Sequence, residues 1–168
     1  MDGHLKRLQR EIDAVVAGTS AGYRLPDAGK WSAAEVLEHL YLSYTGTIKG
    51  FERVRDSGNL SQTHPTWKHK FGTLLVVGIG YFPSGRESPA TARPRGLPPE
   101  QVRTDISASI SRLDAILEQC EEKFGSRAKV LDHPLLGPFT VGQWRKFHLV
   151  HGLHHVKQIR RLQATGWN

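Results

Sequence analysis

Between Pro98 and Gly125 the apolar residues Val102, Ile106, Ile110, Leu113, Ile116, Leu117, Cys120 and Phe124 recur every three or four positions. That period marks one face of an α-helix, and a stripe this long must be buried against other helices. Pro98-Pro99-Glu100 provides the start and Gly125 the stop. Core packing accounts for all eight apolar residues.

Three more segments carry the same period. Leu5, Leu8, Ile12 and Val15 define a short first helix that ends in Ala17-Gly18-Thr19-Ser20-Ala21-Gly22. Ser32 and Glu35 form a capping-box pattern, followed by Val36, Leu40, Tyr44, Thr47, Phe51 and Val54 until Asp56-Ser57-Gly58-Asn59 ends the helix. Thr140 and Gln143 form a second capping box and open a final helix running to about Ala164, before Gly166. From about residue 58 to 98 the period is lost among Gly, Pro, Ser and Arg, except for the apolar stretch Trp67 to Phe82. Gly72, Gly78 and Gly80 leave both a short helix and an extended strand open there, and a short helix packed on the rest is favoured. Pro83, Pro89, Pro94, Pro98 and Pro99 suit an irregular crossover of the kind that walls a pocket. His133-Pro134-Leu135-Leu136-Gly137-Pro138 reads as a loop, and no strand pair is expected. The expected fold is therefore all-α, a four-helix bundle with a long irregular crossover between helices two and three, with residues 1–168 as a single domain.

Composition narrows the setting. Cys120 is the sole cysteine, so no intramolecular disulfide forms, and no signal-like segment opens the chain at Met1-Asp2-Gly3-His4; both point to a reducing, cytoplasmic protein. The longest apolar run, Leu74 to Phe82, is about half of the ~20 residues that span a bilayer as a helix. Lys and Arg number 23 against 16 Asp and Glu, a formal charge of +7 that favours anionic partners. Because those cations are scattered and form no recognised motif, the sequence argues against nucleic-acid binding.

The inward positions of the last helix are Val141, Trp144, His148, His151, His155, Gln158 and Leu162, so the middle of the seam is polar. An imidazole buried without a partner costs on the order of 1 to 3 kcal/mol, and three consecutive seam histidines need an explanation. Bonds to backbone carbonyls, or a solvated face, would be one. A metal is another, because His151 and His155 stand at i and i+4 and project from one face about one turn apart. His39 is the only histidine in the interior of another expected bundle helix, beside Val36, Leu40 and Ser43. The candidate ligands are His39, His151 and His155. His148, one turn upstream, is a rival: a ligand, a donor behind the ligands or a proton carrier, and hence the candidate catalytic residue. His154 points off the seam. His4, His64, His69 and His133 are assigned no chemistry. Trp144 and Trp31 suit packing, with pocket lining as a second role, while Glu35 and Glu38 suit capping and a solvated face. Gln158 is placed to bond the second nitrogen of a ligand histidine.

The segment Trp31-Ser32-Ala33-Ala34-Glu35-Val36-Leu37-Glu38-His39-Leu40 resembles the opening of the second helix in the DinB-like superfamily, and His148-Leu149-Val150-His151-Gly152-Leu153-His154-His155-Val156-Lys157-Gln158-Ile159 resembles its closing histidine motif. The crossover, with Ser88-Pro89 and Arg93-Pro94, and the loop His133 to Pro138 are similar to a less characterised branch of it. The resemblance implies an up-up-down-down four-helix bundle, frequently a homodimer, holding a divalent metal through one histidine of the second helix and two of the last. Carried over by position, these are His39, His151 and His155. Characterised members include thiol-dependent transferases using bacillithiol or mycothiol, and a metal-dependent isomerase. Gly152 and Val156-Lys157 depart from the commonest pattern around the motif.

Three neutral imidazoles leave a metal its charge and an open position, an arrangement suited to catalysis. The expectation is a divalent-metal-dependent enzyme, with zinc or nickel, acting on a small molecule, as a low-molecular-weight thiol S-transferase or in a hydrolase-like way. The alternative is a non-catalytic metal-binding or stress-response module whose basic surface recruits a partner.

Overall fold

The computed structural model describes residues 1–18, 30–81 and 88–164. Thr19 to Gly22, Phe82, Pro83 and Gly166, named above as parts of helix ends and crossover, lie outside the described residues. Within them the chain is mostly helical: α1 (Gly3–Ala17), α2 (Ala33–Ser57), α3 (Trp67–Thr73), α4 (Pro99–Phe124) and α5 (Val141–Ala164).

The apolar stripes decide how these helices pack. Leu5, Leu8, Ile12 and Val15 are the buried residues of α1, and Val102 to Cys120 of the α4 stripe are buried while Phe124 is half-buried at its end. The principal pairings are α2 with α4 and α1 with α5, and α2–α5 and α1–α4 contacts close the arrangement. One continuous core results, drawing Leu8 from α1, Phe51 from α2, Leu117 from α4 and Ile159 from α5. Burying a side chain of this size contributes on the order of 1.5 to 3 kcal/mol.

Both capping boxes form. Ser32 Oγ accepts from the Glu35 N–H while the Glu35 carboxylate accepts from the Ser32 N–H, fixing the start of α2 seven residues before His39. Thr140 and Gln143 do the same for α5, and Gln143 Oε1 also accepts from Lys129 Nζ at 2.7 Å.

α5 approaches α1 closely because Gly152 has no side chain. A Cβ there would collide with Leu8 Cδ1 and stand 3.1 Å from the Tyr44 hydroxyl. The absence of a side chain at Gly152 thus serves the packing of α5 on α1 and α2.

The stretch from Trp67 is helical, as favoured, but only in part packed. α3 runs into a π-helical turn, Leu74–Ile79, whose Val76 and Val77 are buried. Trp67 is 73% and Phe71 58% exposed, so the segment packs on the rest through Val76 and Val77 while its first turns face solvent.

The expectation of no strand pair needs correction. Strands β1 (Leu131–His133) and β2 (Gly137–Phe139) form an antiparallel hairpin, with Leu131 opposite Phe139 and His133 opposite Gly137. Gly137 supports the turn with φ 76°, and a Cβ there would meet the His69 ring. Phe139 is fully buried against Trp144, with ring centroids 5.5 Å apart, and Trp144 Nε1 donates to the Leu131 carbonyl at 3.0 Å. The hairpin is a seat for the first turns of α5.

Candidate metal centre

His39 sits on the seventh residue of α2, and His151 and His155 lie one turn apart on α5. All three are buried, and their candidate ligand atoms lie within 4.8 Å of one another. His39 Nε2 and His151 Nε2 are 3.0 Å apart. The ring centroids are separated by 5.0 Å for His39 and His151, 4.8 Å for His39 and His155, and 4.7 Å for His151 and His155. Each pair is edge-on rather than stacked, as rings turned toward a common point must be. Nitrogens bound tetrahedrally to one ion at ~2.0–2.1 Å stand about 3.3 Å from each other, so this group is of the right size.

The outer nitrogens of His39 and His155 are occupied in a way that leaves their inner nitrogens as acceptors. A carbonyl oxygen can only accept, so His39 Nδ1 carries a proton and donates to the Ala92 carbonyl oxygen at 2.7 Å. His155 Nδ1 donates to Gln158 Oε1 at 2.9 Å by the same reasoning. In a neutral ring each Nε2 then has its lone pair available, and the outer bond fixes both tautomer and ring orientation. Burial pushes His39 below the ordinary imidazole range, partly offset by the Ala92 bond. His151 is driven well below it, by burial first and then by His155 and His39. His155 falls to about 3, again through burial and then His39, with the Gln158 bond opposing. The three rings are therefore neutral near pH 7, the form that ligates a cation.

The crossover is fastened beside this group through main-chain atoms. Its short 3₁₀ turn, Ala90–Ala92, presents the Ala92 carbonyl to His39. Glu38 is buried, not on a solvated face as expected, and its carboxylate accepts from the Arg95 N–H at 2.7 Å and the Gly96 N–H at 3.2 Å. Adjacent residues of α2 thus grip the crossover at two points. No spacing signal could have assigned this role to Glu38, because its partners lie more than fifty residues away and are backbone groups.

His148 is fully buried, lies outside the three-histidine group, and has neither ring nitrogen bonded among the described residues. Its ring stacks on Trp144 at 5.6 Å and meets Tyr44 edge-on at 5.5 Å. Burial, and then His133, lower it to about 3. His154 is half-buried beside His155 and stays outside the group. His133 proves structural: its ring meets that of Phe147 at 4.4 Å, and its Nδ1 accepts from the Leu135 and Leu136 N–H groups, closing the hairpin turn. His69 caps α3 through Thr66.

A cleft of about 1980 Å³ opens onto the three histidines, walled by α2, α3, the crossover, the hairpin and α5. Trp31, half-buried, lines it with its ring 5.1 Å from that of His39. Among the described residues no helix is long and apolar enough to cross a membrane.

Fold and site together define a mostly helical protein with three buried histidines that could hold a metal ion. The family described as "Protein of unknown function (DUF1569)" matches residues 1–162, and the chain belongs to that family. No curated protein and no solved structure matches the chain.

Proposed function

We propose that this chain is a divalent-metal-dependent enzyme acting on a small molecule, built as a DinB-like four-helix bundle of α1, α2, α4 and α5. The observation that carries the reading is the paired arrangement of His39 and His155: each gives Nδ1 to an oxygen, and their candidate ligand atoms and that of His151 lie within 4.8 Å of one another. Two buried rings held this way are arranged for a shared cation, and imidazole donors suit zinc or nickel.

A divalent ion on three neutral imidazoles would supply a positive charge with an open position, able to polarise an oxygen or lower the pKa of a thiol. The chain's own residues do the rest. His39, His151 and His155 hold the ion, while the Ala92 carbonyl and Gln158 orient two of those rings. The cleft admits the substrate, with Trp31 offering a flat wall beside His39. His148, next along the α5 seam, is the proposed proton carrier, since no bond among the described residues engages its nitrogens. Transfer of a low-molecular-weight thiol is the favoured reaction, with hydrolysis second. That the cleft is lined by all three histidines favours catalysis over a closed, purely structural or sensing site.

Elemental analysis tests this on protein purified without affinity tag or chelator. About one metal per chain, lost in both His151→Ala and His155→Ala, is expected, with thiol-transfer and hydrolysis screens then run on the loaded protein. Absence of metal from the wild type even after reconstitution would overturn it.

A further inference from the structure

The wall of the cleft has an uneven charge. Lys49 and Arg53 on α2, Arg93 and Arg95 in the crossover, and Lys157 and Arg161 on α5 all line it. The acidic side chains in the described lining are Glu35 and Asp132, and both are engaged. Glu35 accepts from Ser32 N at 2.7 Å and Ser32 Oγ at 2.8 Å. Asp132 accepts from the hydroxyls of Ser61 and Thr63. A concave surface with one sign of charge in excess focuses its potential inward and concentrates ions of the other sign.

Three of these cations, Arg93, Arg95 and Lys157, adjoin in sequence the residues that hold or orient the histidine group, and others stand farther along the wall. Arg93 follows Ala92, which bonds His39; the Arg95 N–H is held by Glu38; Lys157 precedes Gln158, which bonds His155. Lys49 and Arg53 stand ten and fourteen residues beyond His39 on α2, about 15 and 21 Å along the axis at helical rise. Apolar surface faces the same space, since the exposed Trp67 and Phe71 of α3 also line it.

We propose that the cleft takes a small organic anion with an apolar body, its carboxylate-type group held by Arg95 and Lys157 and its body lying against the aromatic wall. This names the substrate class for the enzyme reading above and rests on it for the reacting end of the ligand. The ion's own charge would also attract an anion, so the test must place the charge away from it.

Mercaptohexanoate and mercaptohexanol have the same thiol and the same chain and differ at the far end. Calorimetric titration of zinc-loaded protein should show the carboxylate probe binding about tenfold tighter at low ionic strength. The advantage should vanish at about 0.5 M NaCl, and in the double variant Arg95→Gln/Lys157→Gln with its zinc content unchanged. Equal affinities at low salt, binding of neither probe, or an advantage that survives in the double variant would overturn the proposal. Zinc content is measured on the same samples, so failure of the metal reading is recognised separately. If no zinc is taken up, hexanoate against hexanol tests the charged wall by the same tenfold criterion.

Discussion

His39 and His155 each give one nitrogen to an oxygen, whereas His148 gives neither. A buried polar atom without a bond costs on the order of 1 to 3 kcal/mol, so His148 is an expensive choice for a seam position between Trp144 and Tyr44. His148→Phe, of similar shape and without the two nitrogens, should raise the urea-unfolding free energy by about 1 kcal/mol or more, leave metal content unchanged and lower turnover. A variant less stable than wild type would show that the imidazole nitrogens are satisfied in solution. The grouping of His39, His151 and His155 was legible in the sequence because it is local on α5 and because α2 has a single histidine. The roles of Glu38 and His133 were not, since a carboxylate holding distant N–H groups has the same one-dimensional signature as one facing water.

At the scale of elements, α1 and α5 depend on a contact that only glycine permits. Gly152→Ala would place a methyl group on Leu8 Cδ1, with the Tyr44 hydroxyl close behind. Overpacking of this kind costs about 1–3 kcal/mol, and the expected result is a lower thermal midpoint together with weaker metal binding, because Gly152 adjoins His151. Unchanged unfolding would mean that Leu8 swings aside at no cost. Helices α1, α2, α4 and α5 were legible from their apolar period, and the starts of α2 and α5 also from their capping boxes. The hairpin was not: its strands have three residues each, too few to display alternation, and Pro134 and Pro138 make the segment read as loop. The π-helical turn was equally hidden, since its Val76 and Val77 are adjacent and fit no single helical face.

For the whole molecule, the buried histidines set a limit on acid tolerance. His133 titrates at about 4 and His148 at about 3 when folded, against 6.5 for the free side chain, in both cases chiefly through burial. A lowered folded value means that the unfolded chain binds protons more readily. Stability is therefore fully present above pH 6.5 and is lost as pH falls toward 4 and 3. Each ring loses about 1.4 kcal/mol per pH unit in that window, so the pair loses about 4 kcal/mol by pH 5. That is a large share of the roughly 5–15 kcal/mol of a typical domain. Urea titrations of metal-free protein at pH 7.5 and pH 5 should show a loss of at least this size, since burial also lowers His39, His151 and His155; a flat profile would mean that the rings are hydrated.

The grip of α2 on the crossover has a consequence for how such a chain can diversify. Ala92 offers a carbonyl, and Arg95 and Gly96 offer N–H groups, so these three bonds from the crossover to His39 and Glu38 come from its main chain. Side chains that face the cleft from this strap, such as Arg93 and Arg95, can be exchanged while those three bonds persist. The anchorage of the centre and the taste of its cleft are thereby written in separate alphabets, and a new preference for ligand can be acquired without rebuilding the seat of the histidines.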